Sequence, residues 1–106
     1  MDLATLRRYL DEPAAAAGWL RALGVVDLRK AHGNLLRMAT GGVPLDLLGV
    51  VCHQLAATLP CCADPDMALN NLDRFAAAAR NPLALAALFE RDPEALPTLV
   101  QIFSTS

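Results

Sequence analysis

Aromatic side chains make up only 5% of this 106-residue chain, too few for a core built around large rings. β-Branched residues are few and scattered, which removes the residue types that strands favour. What remains to be buried is leucine and alanine, both strong helix formers. They sit in a composition that is 55% hydrophobic, with a mean hydropathy of +0.35. An all-α fold is expected before any periodicity is considered. No block of either charge exists, and the net charge is −2. Binding to nucleic acid by phosphate neutralisation is therefore excluded as a reading. The most apolar run, Pro44 to Leu59, is interrupted by Asp46, His53 and Gln54 and falls short of the ~20 residues a membrane span needs. The N-terminus opens on Asp2 without the basic and then apolar segments of a secretory leader. Cys52, Cys61 and Cys62 are odd in number, and two are adjacent. That makes a poor disulfide framework and points to reduced thiols in a cytoplasmic protein.

Capping signals are what the chain has in quantity. Asp64-Pro65, Asn81-Pro82 and Asp92-Pro93 each place an acceptor side chain where a helix begins, followed by a proline suited to the first turn. Each opens an apolar run, so the last third predicts three successive short helices. Upstream, Leu3, Leu6 and Leu10 share a face behind Asp2, and Asp11-Glu12-Pro13 breaks that helix and starts the next. Ala16, Trp19, Leu20 and Leu23 form a second stripe that Gly24 ends. Asp27 caps a third helix with Leu28, Ala31, Leu35 and Ala39 inward and Arg29, Lys30, Asn34 and Arg37 outward.

Gly41-Gly42 stops the third helix, and Pro44 opens a fourth, which is apolar around most of its circumference and is expected at the centre. A tight loop, residues 60–63, precedes a fifth helix burying Ala68, Leu72, Phe75, Ala76 and Ala79 and exposing Asp66, Asn70, Asp73 and Arg74. The sixth, Leu83 to Phe89, is apolar nearly all round and should be covered on more than one side. The seventh presents Leu96, Leu99, Val100 and Phe103, with Pro97 delaying or kinking its start. The whole reads as a single helical domain over residues 1–106: about seven short helices in a compact bundle or a piece of a helical superstructure. The three capped starts are too unevenly spaced for a solenoid repeat.

Catalytic and metal chemistry find little support. Zinc favours Cys-x-x-Cys pairs, whereas Cys61 and Cys62 are adjacent, Cys52 lies on an apolar face and His53 points away from it. His32 sits at the edge of an apolar stripe, where a packed, hydrogen-bonded histidine is expected. Arg29, Lys30 and Arg37 form a solvated basic strip. Asp66, Asp73, Glu90, Asp92 and Glu94 do not form a catalytic set, and no glycine-rich phosphate loop follows a strand.

The segment from Ala68 to Ser106 resembles the bacterial glutamine synthetase adenylyltransferase family. The resemblance is carried by Asn70-Asn71-Leu72-Asp73-Arg74-Phe75, by Asp92-Pro93, and by Leu99-Val100-Gln101-Ile102-Phe103-Ser104-Thr105-Ser106; residues 1–60 carry none. It implies a cytoplasmic enzyme whose full length transfers AMP from ATP to a tyrosine of glutamine synthetase, or removes it, with ATP and magnesium as cofactors. That family's Gly-Ser turn and metal-binding Asp-x-Asp pair are lacking here. Asp64-Pro65-Asp66 has the letters but the setting of a helix cap. The resemblance thus implies a non-catalytic, cofactor-free helical region at the N-terminus of a larger enzyme. Its partners would be the rest of that chain, glutamine synthetase or a nitrogen-signalling regulator. An interdomain or partner surface is expected at Leu96, Leu99, Ile102 and Phe103, exposed in isolation and prone to self-association. The competing reading is a free-standing helical protein-interaction module unrelated to adenylylation.

Overall fold

A computed structural model of the chain describes residues 1–79 and 81–105; Ser106, the last residue of the family-like segment, lies outside them. Seven α-helices follow in order, with no strand among the described residues. They are α1 (Leu3–Asp11), α2 (Pro13–Ala22), α3 (Leu28–Thr40), α4 (Leu45–Thr58), α5 (Pro65–Ala78), α6 (Pro82–Arg91) and α7 (Ala95–Thr105). A single 3-10 turn, Leu59–Cys61, links α4 to α5.

The caps act as their chemistry predicts. The Asp2 carboxylate accepts from Thr5 N–H at 2.8 Å, Asp27 from Lys30 at 3.1 Å, Asp64 from Met67 at 3.1 Å and Asn81 from Ala84 at 3.1 Å. Each satisfies a donor that has no partner within its helix. The Asp92-Pro93 signal behaves differently. Asp92 accepts from Glu94 N–H at 3.0 Å in a turn, and α7 begins only at Ala95. Pro97 then falls third in the helix, where its missing N–H is not needed. Gly24 ends α2 at φ +91°. Its N–H donates to Arg21 O while Val25 N–H reaches back to Leu20 O, the paired bonds of a left-handed helix stop. Pro65 of α5 packs within 3.2 Å of where a Gly24 Cβ would stand, so the first turn of α5 docks on this stop.

α5 packs most extensively on α7 and α3, while α4 holds α6, α7 and α1 together. α1 crosses α4 at Gly49, where a Cβ would come within 3.3 Å of Met1 O. The core is aliphatic: Leu6, Leu20, Leu35, Leu48, Leu55, Leu59, Leu69, Leu72, Leu96 and Val100 are nearly or fully buried, with Phe89 the one aromatic among the buried residues described.

Four expectations are corrected. Leu96 is fully buried (0% exposed) beneath α5 and α4, so it is core and not surface. Leu99 and Phe103 are half-buried, which leaves Ile102, at 51% exposure, as the outward member of the expected patch. α7 presents its 96/100/104 face inward, and residue 102 lies opposite. Phe75 is exposed, its ring resting on Phe103 with centroids 5.6 Å apart. α6 is covered chiefly by α4, with only light contact to α5 and α7. Phe89 is buried, but Leu83 and Leu88 stand exposed where cover on several sides was expected. Finally, Asn34 and Asp73, assigned to the wet faces of their helices, are buried, and Asn70 is half-buried.

The distinction within α7 is measurable by urea unfolding. Leu96→Ala removes a fully buried leucine and is expected to cost about 2–5 kcal/mol. Ile102→Ala, at a site half open to solvent, is expected to cost about 0.5 kcal/mol or less.

Candidate functional site

The densest polar arrangement is a seam between α3 and α5. Asn34 and Arg37 stand one turn apart on α3, and Asn70 and Asp73 have the same spacing on α5. Asn34 Nδ2 donates to Asn70 Oδ1 at 2.6 Å, Arg37 Nη2 donates to Asn34 Oδ1, and Arg37 Nε donates to Asp73 Oδ2 at 2.8 Å. The four side chains form one unbroken chain of hydrogen bonds. Asp73 is nearly enclosed (11% of its side chain exposed), whereas the Arg37 side chain is 60% exposed. The carboxylate is thus desolvated and paired, while its partner reaches into solvent.

Two further tethers come from the same helix. Asn71 Nδ2 donates to Phe103 O of α7 at 2.9 Å. The Asp66 carboxylate accepts from Val26 N–H and Asp27 N–H, both at 2.8 Å, so each oxygen holds the α2–α3 loop. Asp64 is occupied as a cap. Neither acid of Asp64-Pro65-Asp66 is presented to a metal, and among the described residues no group of three His, Cys, Asp or Glu side chains comes together.

The sulfur and imidazole groups are dispersed. Cys52 is buried in α4, Cys61 is exposed on the 3-10 turn and Cys62 is half-buried, its thiol donating to Leu59 O at 3.1 Å. His53 is exposed. Burial pushes the Cys52 thiol up to about 12, and burial, partly opposed by backbone hydrogen bonds, also raises Cys62. His32 has a structural task. Its Nε2 lies 2.8 Å from Tyr9 O and 3.1 Å from Leu10 O. With two carbonyl acceptors, Nε2 carries the hydrogen and closes off the last turn of α1.

Beside the polar seam runs an open groove of about 420 Å³, lined by Arg37, Met38, Gly41, Val43, Asp73, Arg74, Ala76 and Ala77. A small apolar cleft under α6 shares Met38, Val43 and Ala76 with it. A separate groove is lined by Pro13, Ala14, Leu28, Arg29 and His32, where the His32 Nε2 is already committed. The expected basic strip is divided accordingly: Arg29 lines one groove, and Arg37 the other. Sequence periodicity missed the seam because it assigns polar residues to solvent. The recurring i, i+3 polar pairs on α3 and α5 were the available signal.

Comparison with protein-family models, with curated proteins and with solved structures returns no match. The arrangement defines a helical scaffold with one polar seam and an adjoining groove. Among the described residues, no helix is long and apolar enough to cross a membrane.

The thiols yield a test. With a disulfide-exchange reagent at neutral pH, Cys61 is expected to react first, Cys62 slowly, and Cys52 only after denaturant is added, as followed by mass spectrometry of the labelled peptides. The linkage has a definite sign. The folded Cys52 thiol titrates near 12, above its ordinary 9.0. Its contribution to stability is therefore complete below about 9 and is lost as pH rises toward 12.

Proposed function

We propose that this chain is a non-catalytic helical region of a glutamine synthetase adenylyltransferase. In that reading it supports the packing of a neighbouring nucleotidyltransferase domain or the recognition of glutamine synthetase or a nitrogen-signalling partner in the cytoplasm. One observation supports the reading above others. Two of the three phrases that carry the resemblance, residues 70–75 and 99–106, are separated by α6, yet they meet in space. Asn71 of the first donates to Phe103 O of the second, and Phe75 of the first rests on the Phe103 ring. Within the first phrase, Asn70 and Asp73 bind α3 and Leu72 is core. Such a motif acts as framework and needs no catalytic role. ATP and magnesium belong, in this proposal, to catalytic domains elsewhere in the enzyme. Asp64, Asp66 and Asp73 are engaged as a cap and as tethers.

A second reading, a free-standing helical interaction module, draws support from the exposed Leu83 and Leu88 of α6, which suit a protein contact of any kind.

The native reading frame separates the two. The first predicts continuation past Ser106 into a Gly-Ser turn followed by an Asp-x-Asp pair; a stop codon there would remove its main support. For the role itself, calorimetric titration against glutamine synthetase is expected to give binding that differs between the AMP-bearing and unmodified forms. Absence of heat with either form would restrict the segment to packing against its own enzyme.

A further inference from the structure

Helix α6 is apolar on both sides. Leu85 and Phe89, one turn apart, seat its inner side in the small cleft beneath it. Its outer side carries Leu83, Ala84, Ala87 and Leu88, all exposed, with Leu83 at 50% and Leu88 at 37%. At about 100° per residue these four positions form one stripe on the side away from Leu85 and Phe89. No charge falls within the stripe; Glu90 and Arg91 follow it in the last turn. α4 is the main neighbour of α6, with light contact to α5 and α7, and none of them buries the outer side. A surface helix that served only the fold would place polar side chains there.

The order of side chains along the stripe indicates what fits it. Ala84 and Ala87 stand equally far from the midpoint between residues 85 and 86, and so do Leu83 and Leu88. In helical projection the alanines follow the middle of the stripe, and the leucines occupy diagonally opposite edges. A two-fold axis through that midpoint, normal to the helix, lays an identical helix antiparallel on the first. It sets Leu83 against Leu88 of a second copy and Ala84 against Ala87 of that copy, and repeats both pairs on the other side of the axis. Alanines at the crossing let the two backbones approach closely, and leucines at both ends close over the contact. A parallel pairing would set Glu90 and Arg91 against their own copies. The antiparallel pairing carries them to opposite ends.

We propose that the outer face of α6 is a self-association surface whose occupant is the α6 of a second copy of this chain, antiparallel across a two-fold axis. Self-association thereby moves from α7, where the sequence placed it, to α6. One stripe of four side chains is small beside the roughly 1,200 Å² that a stable complex buries. The dimer therefore forms at high concentration and exchanges rapidly with the single chain. The proposal does not depend on the adenylyltransferase reading, because it rests on α6 alone.

The test is sedimentation equilibrium of the chain from about 10 µM to about 1 mM, with a reductant present so that Cys61 forms no disulfide. A single chain is expected at the low end and a growing share of dimer at the high end. Leu83→Glu and Leu88→Glu, both at exposed positions, are each expected to weaken the dimer at least ten-fold, with the fold checked by circular dichroism. Ile102→Glu, on the exposed side of α7, is expected to leave it unchanged. The register is read by cross-linking in a Cys61→Ser background with oxidised glutathione. Mixed Ala84→Cys and Ala87→Cys chains should link to one another far more than Ala84→Cys chains link among themselves. A single chain at every concentration, a dimer indifferent to Leu88→Glu, or a dimer lost with Ile102→Glu would each overturn the proposal. So would equal linking of Ala84→Cys chains among themselves, the mark of a parallel pair.

Discussion

A core of leucine and alanine, with almost no rings to span distance, holds together only if its helices approach closely. That constraint governs the rest of the molecule. Ala68 and Ala76, two turns apart on α5, are both buried, as are Ala16 of α2 and Ala31 of α3. Gly49 lets the start of the chain cross α4 at backbone distance. Polar side chains that are buried at the edge of such a helix–helix contact need hydrogen-bond partners, and the facing helix supplies them. The Asn34–Arg37–Asn70–Asp73 seam is the consequence on one side of α5, and the Asn71 bond to Phe103 O is the consequence on the other. α5 thereby becomes the element to which α3, α7 and the α2–α3 loop are all tied.

Local features of the fold were legible in the sequence because they obey local rules. Asp2, Asp27, Asp64 and Asn81 cap the helices they precede, Gly24 ends α2 in a left-handed conformation, and Cys52 and His32 are packed inside. What escaped depends on which element faces which. Helical periodicity separates the polar side of α3 from its apolar side, but it does not reveal that α5 sets its own polar side against part of it. Asn34 and Asp73 were therefore assigned to solvent. Leu96 was placed on an open patch because α7 looks apolar enough to need another domain, when α5 and α4 already cover its inner face. α6 failed in the opposite direction. Its apolar circumference predicts burial, but only α4 lies close enough to supply much cover.

The same facts bear on function. Several residues that looked like possible chemistry turn out to be occupied: both oxygens of Asp66 hold backbone N–H groups, Asp73 holds Arg37, and the His32 Nε2 closes a helix end. Asp66, Asp73 and His32 are thus committed to the protein's own architecture. The feature left for recognition is the open apolar face of α6.

Native-state hydrogen exchange tests most directly whether α5 organises the structure. Amides from Leu69 to Ala76 should exchange only through global unfolding, while those of α6, held mainly by α4 through Phe89 and the Gln54 bond to its carbonyl, should open at distinctly lower free energy. If α6 proved as protected as α5, or if α5 opened before α3 and α7, the central role of α5 would be contradicted.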